Sequence, residues 1–324
     1  MKILFVFTGG TIGSTYDGNY ISTDNKKPYA LIDAYTKAHN VDFDYDIVEP
    51  YTELSENNTG AHIKALIETV KANIDNYDGI IVTHGTDTLQ YSAAALSYAL
   101  GLSSKPIALV SSNFPLENPK ANAIPNLFGA ISAIKLGVKG TFVPYQNPGE
   151  EIVIHRGTRL LANDVFSDKF YSVMNRYYAV VKEDGSLVLN DVYKEHEDSL
   201  DAPTAEIGEQ CTYVARVAPY PGMLYPEIPD CVKFVLIDSY HSGTINTKSE
   251  QAKAFFEKIK NKKVFLTGML KKISYDSTKV YDSFGIIPID KRITPISAYV
   301  KLWLYGDTLN PEEYLSSSRG GDIF

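Results

Sequence analysis

The stretch Thr8-Gly9-Gly10-Thr11-Ile12-Gly13 follows directly on the apolar run Ile3-Leu4-Phe5-Val6-Phe7. The run has the length and composition of a buried β-strand, so the glycine-rich turn falls at the carboxyl end of that strand. Open α/β sheets bind their ligands at that edge. Glycines allow a sharp turn and a close approach of the backbone to a small molecule, and Thr11 supplies an alcohol that a neighbouring base can activate. The opening residues therefore predict a ligand site after the first strand.

A second strand and turn repeat this layout near residue 80. Gly79-Ile80-Ile81-Val82-Thr83 has the pattern of a buried strand, and His84-Gly85-Thr86-Asp87-Thr88 separates it from a helical stretch over residues 89–100. If both strands lie in one parallel sheet, both turns face the same cleft. We expect a threonine from each turn and the Asp87 carboxylate to meet there.

Strand-like and helical stretches alternate through the first half of the chain, which predicts an α/β fold with a mainly parallel sheet flanked by helices. Residues 182–210 are strongly acidic and contain Ala202-Pro203, which is typical of an interdomain linker. We predict a larger N-terminal α/β domain over 1–185, a linker over 186–210 and a smaller C-terminal α/β domain over 211–324. The region Ser316-Ser317-Ser318 is predicted to be an exposed tail.

Composition and charge exclude several classes of function. The 324 residues carry a formal net charge of −8 and have no basic cluster, which argues against a nucleic-acid partner. Cys211 and Cys231 lack the spacing of a metal site, and no apolar run is long enough to cross a bilayer. The apolar segment before Thr8 is too short for a secretory signal. We therefore expect a cytoplasmic protein with a small-molecule partner, no metal and no membrane contact.

The two turns Thr8–Gly13 and His84–Thr88, in this order and at this separation, resemble the two signature segments of the bacterial-type L-asparaginases, most closely the cytoplasmic type I enzymes. Looser similarities include Arg156-Gly157-Thr158-Arg159 and Arg319-Gly320-Gly321-Asp322. The resemblance implies hydrolysis of L-asparagine to L-aspartate and ammonia through an acyl-enzyme, with no cofactor. It also implies a homodimer or homotetramer whose sites lie between neighbouring subunits.

The same resemblance implies a role for each residue of the two turns. Thr11 is the nucleophile, and backbone amides of the turn that contains Gly10 stabilise the oxyanion. Tyr20 lies on a loop that closes over the substrate and contacts the nucleophile. Thr86 assists the attack, and Asp87 binds the α-ammonium group of the substrate.

A third segment, Leu54-Ser55-Glu56-Asn57-Asn58, resembles the part of the family that clamps the substrate. There Ser55 holds the α-carboxylate and Glu56 holds the amino group. One position departs from the family, which carries a lysine shortly after its Arg-Gly-x-Arg element. This chain has Ala162 there, and the next lysine is Lys169.

Alternatives remain open at the level of residues and of function. Thr11 and Asp87 could each cap a following helix, and His84 is expected to be a hydrogen-bonded structural residue. A dinucleotide site is disfavoured because Thr8 stands where GxGxxG needs glycine. The missing lysine leaves two other functions open: an amidase for glutamine or another small amide, and a non-catalytic amino-acid-binding homologue.

Overall fold

The computed structural model describes residues 1–10, 12, 14–16, 21–23, 28–39, 43–268, 275–289, 292–306 and 310–324. The β-strands are β1 (Lys2–Phe7), β2 (Ser14–Tyr16), β3 (Ile21–Thr23), β4 (Asp44–Val48), β5 (Gly79–Thr83), β6 (Ile107–Val110), β7 (Thr141–Gln146), β8 (Ile152–Arg156), β9 (Ala179–Val181), β10 (Leu187–Leu189), β11 (Val214–Val217), β12 (Phe234–Asp238), β13 (Lys263–Thr267) and β14 (Ile286–Pro288). The α-helices are α1 (Pro28–His39), α2 (Gly60–Asn73), α3 (Leu89–Leu100), α4 (Ala123–Lys135), α5 (Glu250–Lys258), α6 (Pro295–Tyr305) and α7 (Pro311–Ser316).

The larger sheet has the strand order β10-β9-β8-β7-β6-β5-β1-β4. Neighbours from β4 to β7 are parallel, and β8, β9 and β10 add antiparallel pairs at the other side. This arrangement confirms the predicted α/β fold with a mainly parallel sheet. The chain leaves β1 for β4 on one side and then returns to β5 on the other. The reversal makes the gap between the ends of β1 and β5 the topological switch point, where such sheets bind ligands.

Helices cover both faces of this sheet. Side chains alternate along β1, so Leu4 and Val6 pack with α2 and α3, whereas Ile3 and Phe5 pack with α1 and α4. Burial on both faces explains why β1 and β5 have continuous apolar sequences instead of an alternating pattern.

Strand β7 is not predicted from the sequence, because Pro144 interrupts it and proline cannot donate a ladder hydrogen bond. The structure places this proline where the cost is small. The pairing of β6 with β7 ends at Phe142, so Pro144 lies beyond that ladder and pairs only with Ile154 of β8. Helix α1 and strand β4 are also absent from the sequence-based prediction.

The smaller sheet consists of β11, β12, β13 and β14 in consecutive order, and all of its described pairs are parallel. Helix α5 packs on one face and α6 on the other. This confirms the predicted second, smaller α/β unit. Because its described strands follow one another in chain order, the smaller sheet has no topological switch point among them. The switch point of the larger sheet is therefore the better candidate for a ligand site.

Helix α6 lies between the two sheets and is apolar on two sides. Val300 and Trp303 belong to the core that contains α2 and α3, while Ala298 and Leu302 belong to the core of the smaller sheet. A helix that is apolar around most of its circumference is one that is buried. The helix therefore joins the two units by burial of both faces.

The residues after α7 form a C-terminal clasp (Ser318–Ile323), which corrects the prediction of an exposed tail at Ser316-Ser317-Ser318. Ser316 is exposed, but Ser318 is buried and the chain stays buried through Ile323. Lys301 Nζ of α6 lies 2.6 Å from Asp322 Oδ2, and both side chains are fully buried. The Tyr98 hydroxyl of α3 donates to the same carboxylate at 3.0 Å. Ser and charged residues in this segment are typical of an exposed tail. The sequence alone does not show that these charged residues have buried partners in the folded chain.

The acidic stretch before β11 also binds to the rest of the protein. The backbone N–H of Gly320 donates to Asp198 Oδ1 at 2.7 Å. Glu195 forms an ion pair with Arg156 at 2.8 Å. Asp198 and Glu195 therefore each pair with a buried group of another part of the chain.

We predict that Asp322→Ala lowers the free energy of unfolding by about 3 to 5 kcal/mol, because it leaves the Lys301 ammonium buried without its counter-charge. Urea unfolding followed by circular dichroism measures the loss. Glu312→Ala is the matched control, since it removes the carboxylate of an exposed pair with Lys263, and it should cost less than about 1 kcal/mol. Equal losses in the two variants would contradict a structural role for the clasp.

Candidate functional site

The ends of β1 and β5 meet in direct backbone contact. Gly10 has φ +76°, and a Cβ on it would collide with the backbone nitrogen of Gly85. Only glycine adopts this conformation easily and also leaves room for the second chain segment. The Gly10 N–H donates to the carbonyl of Glu53 at 3.1 Å, and the Glu53 N–H donates to the carbonyl of Thr8 at 3.1 Å. The glycine turn is therefore held between the segment after β4 and the turn after β5.

Ser55 completes this junction of three segments. A Cβ on Gly85 would lie 2.5 Å from Ser55 Oγ, so the serine hydroxyl lies directly against the glycine backbone. The Thr88 hydroxyl donates to the Ser55 carbonyl at 2.9 Å. These contacts fix residues 54–58 against the turn His84–Thr88.

The structure brings together five of the site residues that the sequence predicts, namely Gly10, Ser55, Glu56, Thr86 and Asp87. All five lie beyond the carboxyl ends of β1, β4 and β5. Gly10 and Ser55 are buried, Thr86 is half-buried, and Glu56 and Asp87 are exposed. The other two predicted residues, Thr11 and Tyr20, lie outside the described residues.

His84 has the environment of a structural residue. It is fully buried, with Nδ1 2.8 Å from the Gly85 carbonyl and Nε2 2.8 Å from the Ser92 hydroxyl. A carbonyl can only accept, so Nδ1 carries the proton and Nε2 accepts from Ser92. Burial lowers the pKa of His84 to about 4, and the ring is neutral near pH 7. Its hydrogen bonds fix the start of the turn that carries Thr86 and Asp87.

Several buried polar atoms at this edge have no hydrogen-bond partner among the described residues. They follow or end β4, β5 and β6, or lie in the first turn of α3, and they are Ser55 Oγ, Asn58 Oδ1, Thr83 Oγ1, Gln90 Oε1 and Ser111 Oγ. Buried polar groups in folded proteins are nearly always hydrogen-bonded. Their concentration here indicates an edge that binds a polar molecule or ordered water. Sequence reasoning missed Asn58, Gln90 and Ser111 as members of this group, because burial without a partner leaves no pattern in the sequence.

The charged side chains that the structure describes at this edge are carboxylates. Glu53 Oε1 accepts from the Asn57 side chain and from the Leu54 N–H, both at 3.0 Å, and these bonds lower its pKa. The carboxylates of Glu56 and Asp87 form no hydrogen bond or ion pair with another described residue. Two carboxylates without counter-charges favour a cationic group nearby, such as an ammonium.

The loop after β8 supplies no described cation to Thr86 or Asp87. Lys169 Nζ donates to Glu150 Oε1 at 2.8 Å, and Ala162 is exposed. Ala162, which the sequence analysis predicts to occupy the position of the family lysine, offers only a methyl group, and Lys169 pairs with Glu150 instead.

The described residues contain no group of three or more His, Cys, Asp or Glu side chains that could hold a metal ion. Among the described helices, none is both long and apolar enough to cross a membrane.

A protein-family model described as "Asparaginase, N-terminal" matches residues 2–191, which is more than half of the chain. The chain belongs to the Asparaginase family. The matched region spans the larger sheet and the whole switch point. The switch-point residues of this asparaginase-family chain thus lie in the part that the family model matches.

Curated relatives of this asparaginase-family chain carry two different descriptions. The chain is 29% identical to a glutamyl-tRNA(Gln) amidotransferase subunit of Pyrobaculum aerophilum, over 93% of this chain and 74% of that protein. It is 26% identical to L-asparaginase 1 of Escherichia coli K12, over 80% of this chain and 75% of that protein. Family membership therefore fixes the amidohydrolase class more firmly than the amide substrate.

Solved structures support the fold. The thermostable L-asparaginase from Thermococcus kodakarensis superposes with a TM-score of 0.78 at 23% identity, covering 100% of this chain and 99% of that one. L-asparaginase I from Vibrio cholerae gives a TM-score of 0.76 at 21% identity, covering 100% of this chain and 99% of that one. Both confirm that the two-sheet architecture is that of the asparaginase-family fold.

We predict that Gly10→Ala lowers the free energy of unfolding by about 2 kcal/mol more than Gly149→Ala, because only the first substitution drives a Cβ into another backbone segment. Gly149 is a matched control, since it has the same φ of +76° and nothing within 4 Å of an added Cβ. Chemical denaturation of both variants measures the difference. Equal destabilisation would mean that left-handed strain, and not the contact with Gly85, is what requires glycine.

Proposed function

We propose that this protein hydrolyses the side-chain carboxamide of L-asparagine to give L-aspartate and ammonia. The observation that carries the proposal is the convergence of the Gly10 turn, Ser55 and the turn His84–Thr88 at the switch point of an asparaginase-family sheet. The similarity to L-asparaginase 1 of Escherichia coli also supports it.

In the proposed reaction, the Thr11 hydroxyl attacks the carboxamide carbon and gives up its proton. Backbone N–H groups of the glycine turn stabilise the oxyanion, since fixed dipoles aimed at a developing charge are an effective means of lowering the barrier. The tetrahedral intermediate expels ammonia after protonation of its nitrogen, which leaves an ester on Thr11. Water then hydrolyses this ester, releasing L-aspartate and restoring the threonine. Tyr20 and Thr86 are proposed to handle the protons of these steps.

The remaining site residues are proposed to bind the two charged ends of the amino acid. The unpaired carboxylates of Asp87 and Glu56 bind the α-ammonium group, which offsets the charge that they carry without a described partner. The Ser55 hydroxyl, buried and without a described acceptor, donates to the α-carboxylate. A dimer or tetramer of this chain in the cytoplasm, acting on small amino-acid amides, is part of the same proposal.

L-glutamine is the second candidate substrate, and two observations favour it. One is the similarity to the amidotransferase subunits of several archaea, whose name refers to glutamyl-tRNA(Gln). The other is Ala162, because a site that lacks a lysine differs from the pattern of the resembling asparaginases. A third candidate, a non-catalytic amino-acid-binding protein, would keep the binding residues without turnover.

We predict that the wild-type protein releases ammonia from L-asparagine and that Thr11→Val lowers turnover by about a thousandfold or more, because valine keeps the shape but lacks the nucleophile. A coupled ammonia assay over L-asparagine, L-glutamine and other small amides measures both effects. Thr36→Val, at a half-buried position in α1, is the control and should keep wild-type turnover.

Each outcome of that assay separates the candidates. Faster release from L-glutamine would move the proposal to the second substrate. Calorimetric binding of L-asparagine without ammonia release would favour the non-catalytic homologue. Full turnover by Thr11→Val would refute Thr11 as the nucleophile.

We also predict that Asp87→Asn raises KM for the amide substrate by about tenfold, because a charge-assisted hydrogen bond to the ammonium becomes a neutral one. The turnover number should change less. Steady-state kinetics measures both constants. The control for the loss of one negative charge is Asp282→Asn, which changes an exposed aspartate of the smaller unit. An unchanged KM would contradict Asp87 as the partner of the substrate ammonium.

A further inference from the structure

Arg216 lies on the face of the smaller sheet that points toward the larger one. The register of β11 with β12 pairs Arg216 with Leu236, and Asp238 follows two residues later at the end of β12. Alternation along a strand puts all three side chains on one face. Leu236 packs with Ala298 and Leu302 of α6 on that face. Arg216 and Asp238 are therefore on the side of the sheet covered by α6, near its carboxyl edge.

Asp238 holds the Arg216 guanidinium in a fixed plane. Arg216 Nη2 and Nε donate to Asp238 Oδ2 at 2.7 and 3.1 Å, and the two side chains are only 29% and 18% exposed. The Thr267 hydroxyl of β13 contacts the other oxygen of Asp238 at 3.3 Å. Paired bonds of this type fix direction as well as distance, so the remaining nitrogen, Nη1, has a set orientation.

That remaining nitrogen reaches the helix that begins at the switch point. Arg216 Nη1 donates to the Tyr91 hydroxyl at 3.2 Å. Tyr91 is in the first turn of α3, and its N–H donates to the Thr88 carbonyl at 3.0 Å. Its ring packs edge-on against Tyr299 of α6, with 6.3 Å between ring centroids. Arg216 of the second sheet thus contacts the first turn of α3, which follows directly on the turn His84–Thr88.

Thr86 and Asp87 depend on the ends of their turn for orientation. Neither side chain hydrogen-bonds another described residue. His84 fixes the turn at its start through Ser92 and Gly85, and the first turn of α3 fixes it at its end. Loss of one anchor lets the turn sample other conformations, and a group that must be ordered on binding lowers affinity.

From this geometry we infer that Arg216 is a positioning residue of the amidohydrolase site, acting through Tyr91 on the turn that carries Thr86 and Asp87. The inference rests on the proposed function. Arg216 itself contacts no substrate. Its effect falls on the binding of the amide more than on the chemical step, because Asp87 is the proposed partner of the substrate ammonium.

The test uses Arg216→Met, Tyr91→Phe and the double variant of the full-length protein, with L-asparagine and L-glutamine as substrates. Each single variant should raise KM about tenfold and change kcat by less than about threefold. The double variant should be no worse than either single one, because the two side chains act as a unit. Arg216→Lys, which keeps a donor, should recover part of the loss. If Arg216→Met fails to fold, Tyr91→Phe still carries the test, since it removes one hydroxyl and keeps the ring.

Lys263→Met is the matched control, because it breaks another cation–carboxylate pair of the same sheet, with Glu312. An unchanged KM in Arg216→Met and Tyr91→Phe, beside an active wild type, would overturn the inference. So would an equal rise of KM in Lys263→Met.

Hydrogen exchange separates failure of this inference from failure of the proposed function. If the wild type hydrolyses neither amide, the function is wrong and the positioning role is judged on exchange alone. Faster exchange of the amides of residues 86–92 in Arg216→Met than in Lys263→Met supports positioning. Equal exchange in the two variants overturns it.

Discussion

The contact between the backbones of Gly10 and Gly85 is the constraint on which the site depends. A parallel sheet that reverses its direction of growth brings two strand ends together, and here both ends must come within backbone contact distance. No side chain fits between them, because a Cβ on Gly10 would collide with the backbone of Gly85. Ser55 closes the third side. The arrangement brings backbone and polar side chains of three chain segments together at one edge of the sheet.

The second constraint is the burial of α6 between the sheets. Its two apolar faces join two cores, and the single charge in its middle, Lys301, is neutralised by Asp322 of the clasp. A buried ammonium without that carboxylate would be costly, so the last residues of the chain are part of the interface and not an appendage. The same packing orients the carboxyl edge of the smaller sheet so that Arg216 reaches Tyr91 of α3.

The chemistry of the edge fits a small zwitterionic amide better than a phosphate or a nucleotide. Phosphate and nucleotide sites usually use Lys or Arg side chains, whereas the described charged side chains at this edge are carboxylates. Unpartnered hydroxyl and amide oxygens add neutral acceptors, and Ser55 adds a donor. Family membership supplies the reaction class. The prediction from the sequence that Ala162 stands where the resembling enzymes carry lysine bears on the proposed proton transfer and on the choice of amide.

The order of the residues is enough to predict the elements that bury both faces, because continuous apolar runs such as Gly79–Thr83 leave few alternatives to a central strand. It is also enough to predict turns after β1 and β5, because Gly10 and Gly85 stand where the two backbones approach too closely for a side chain. Other features depend on contacts between distant parts of the chain. Pro144 is tolerated in β7 only because the pairing with β6 ends early, and the charged C-terminal residues become core only because Lys301 and Tyr98 lie opposite Asp322. The unpaired buried oxygen of Gln90 at the site edge could not be predicted either. Whether a buried polar atom lacks a hydrogen-bond partner is known only once its neighbours in space are known.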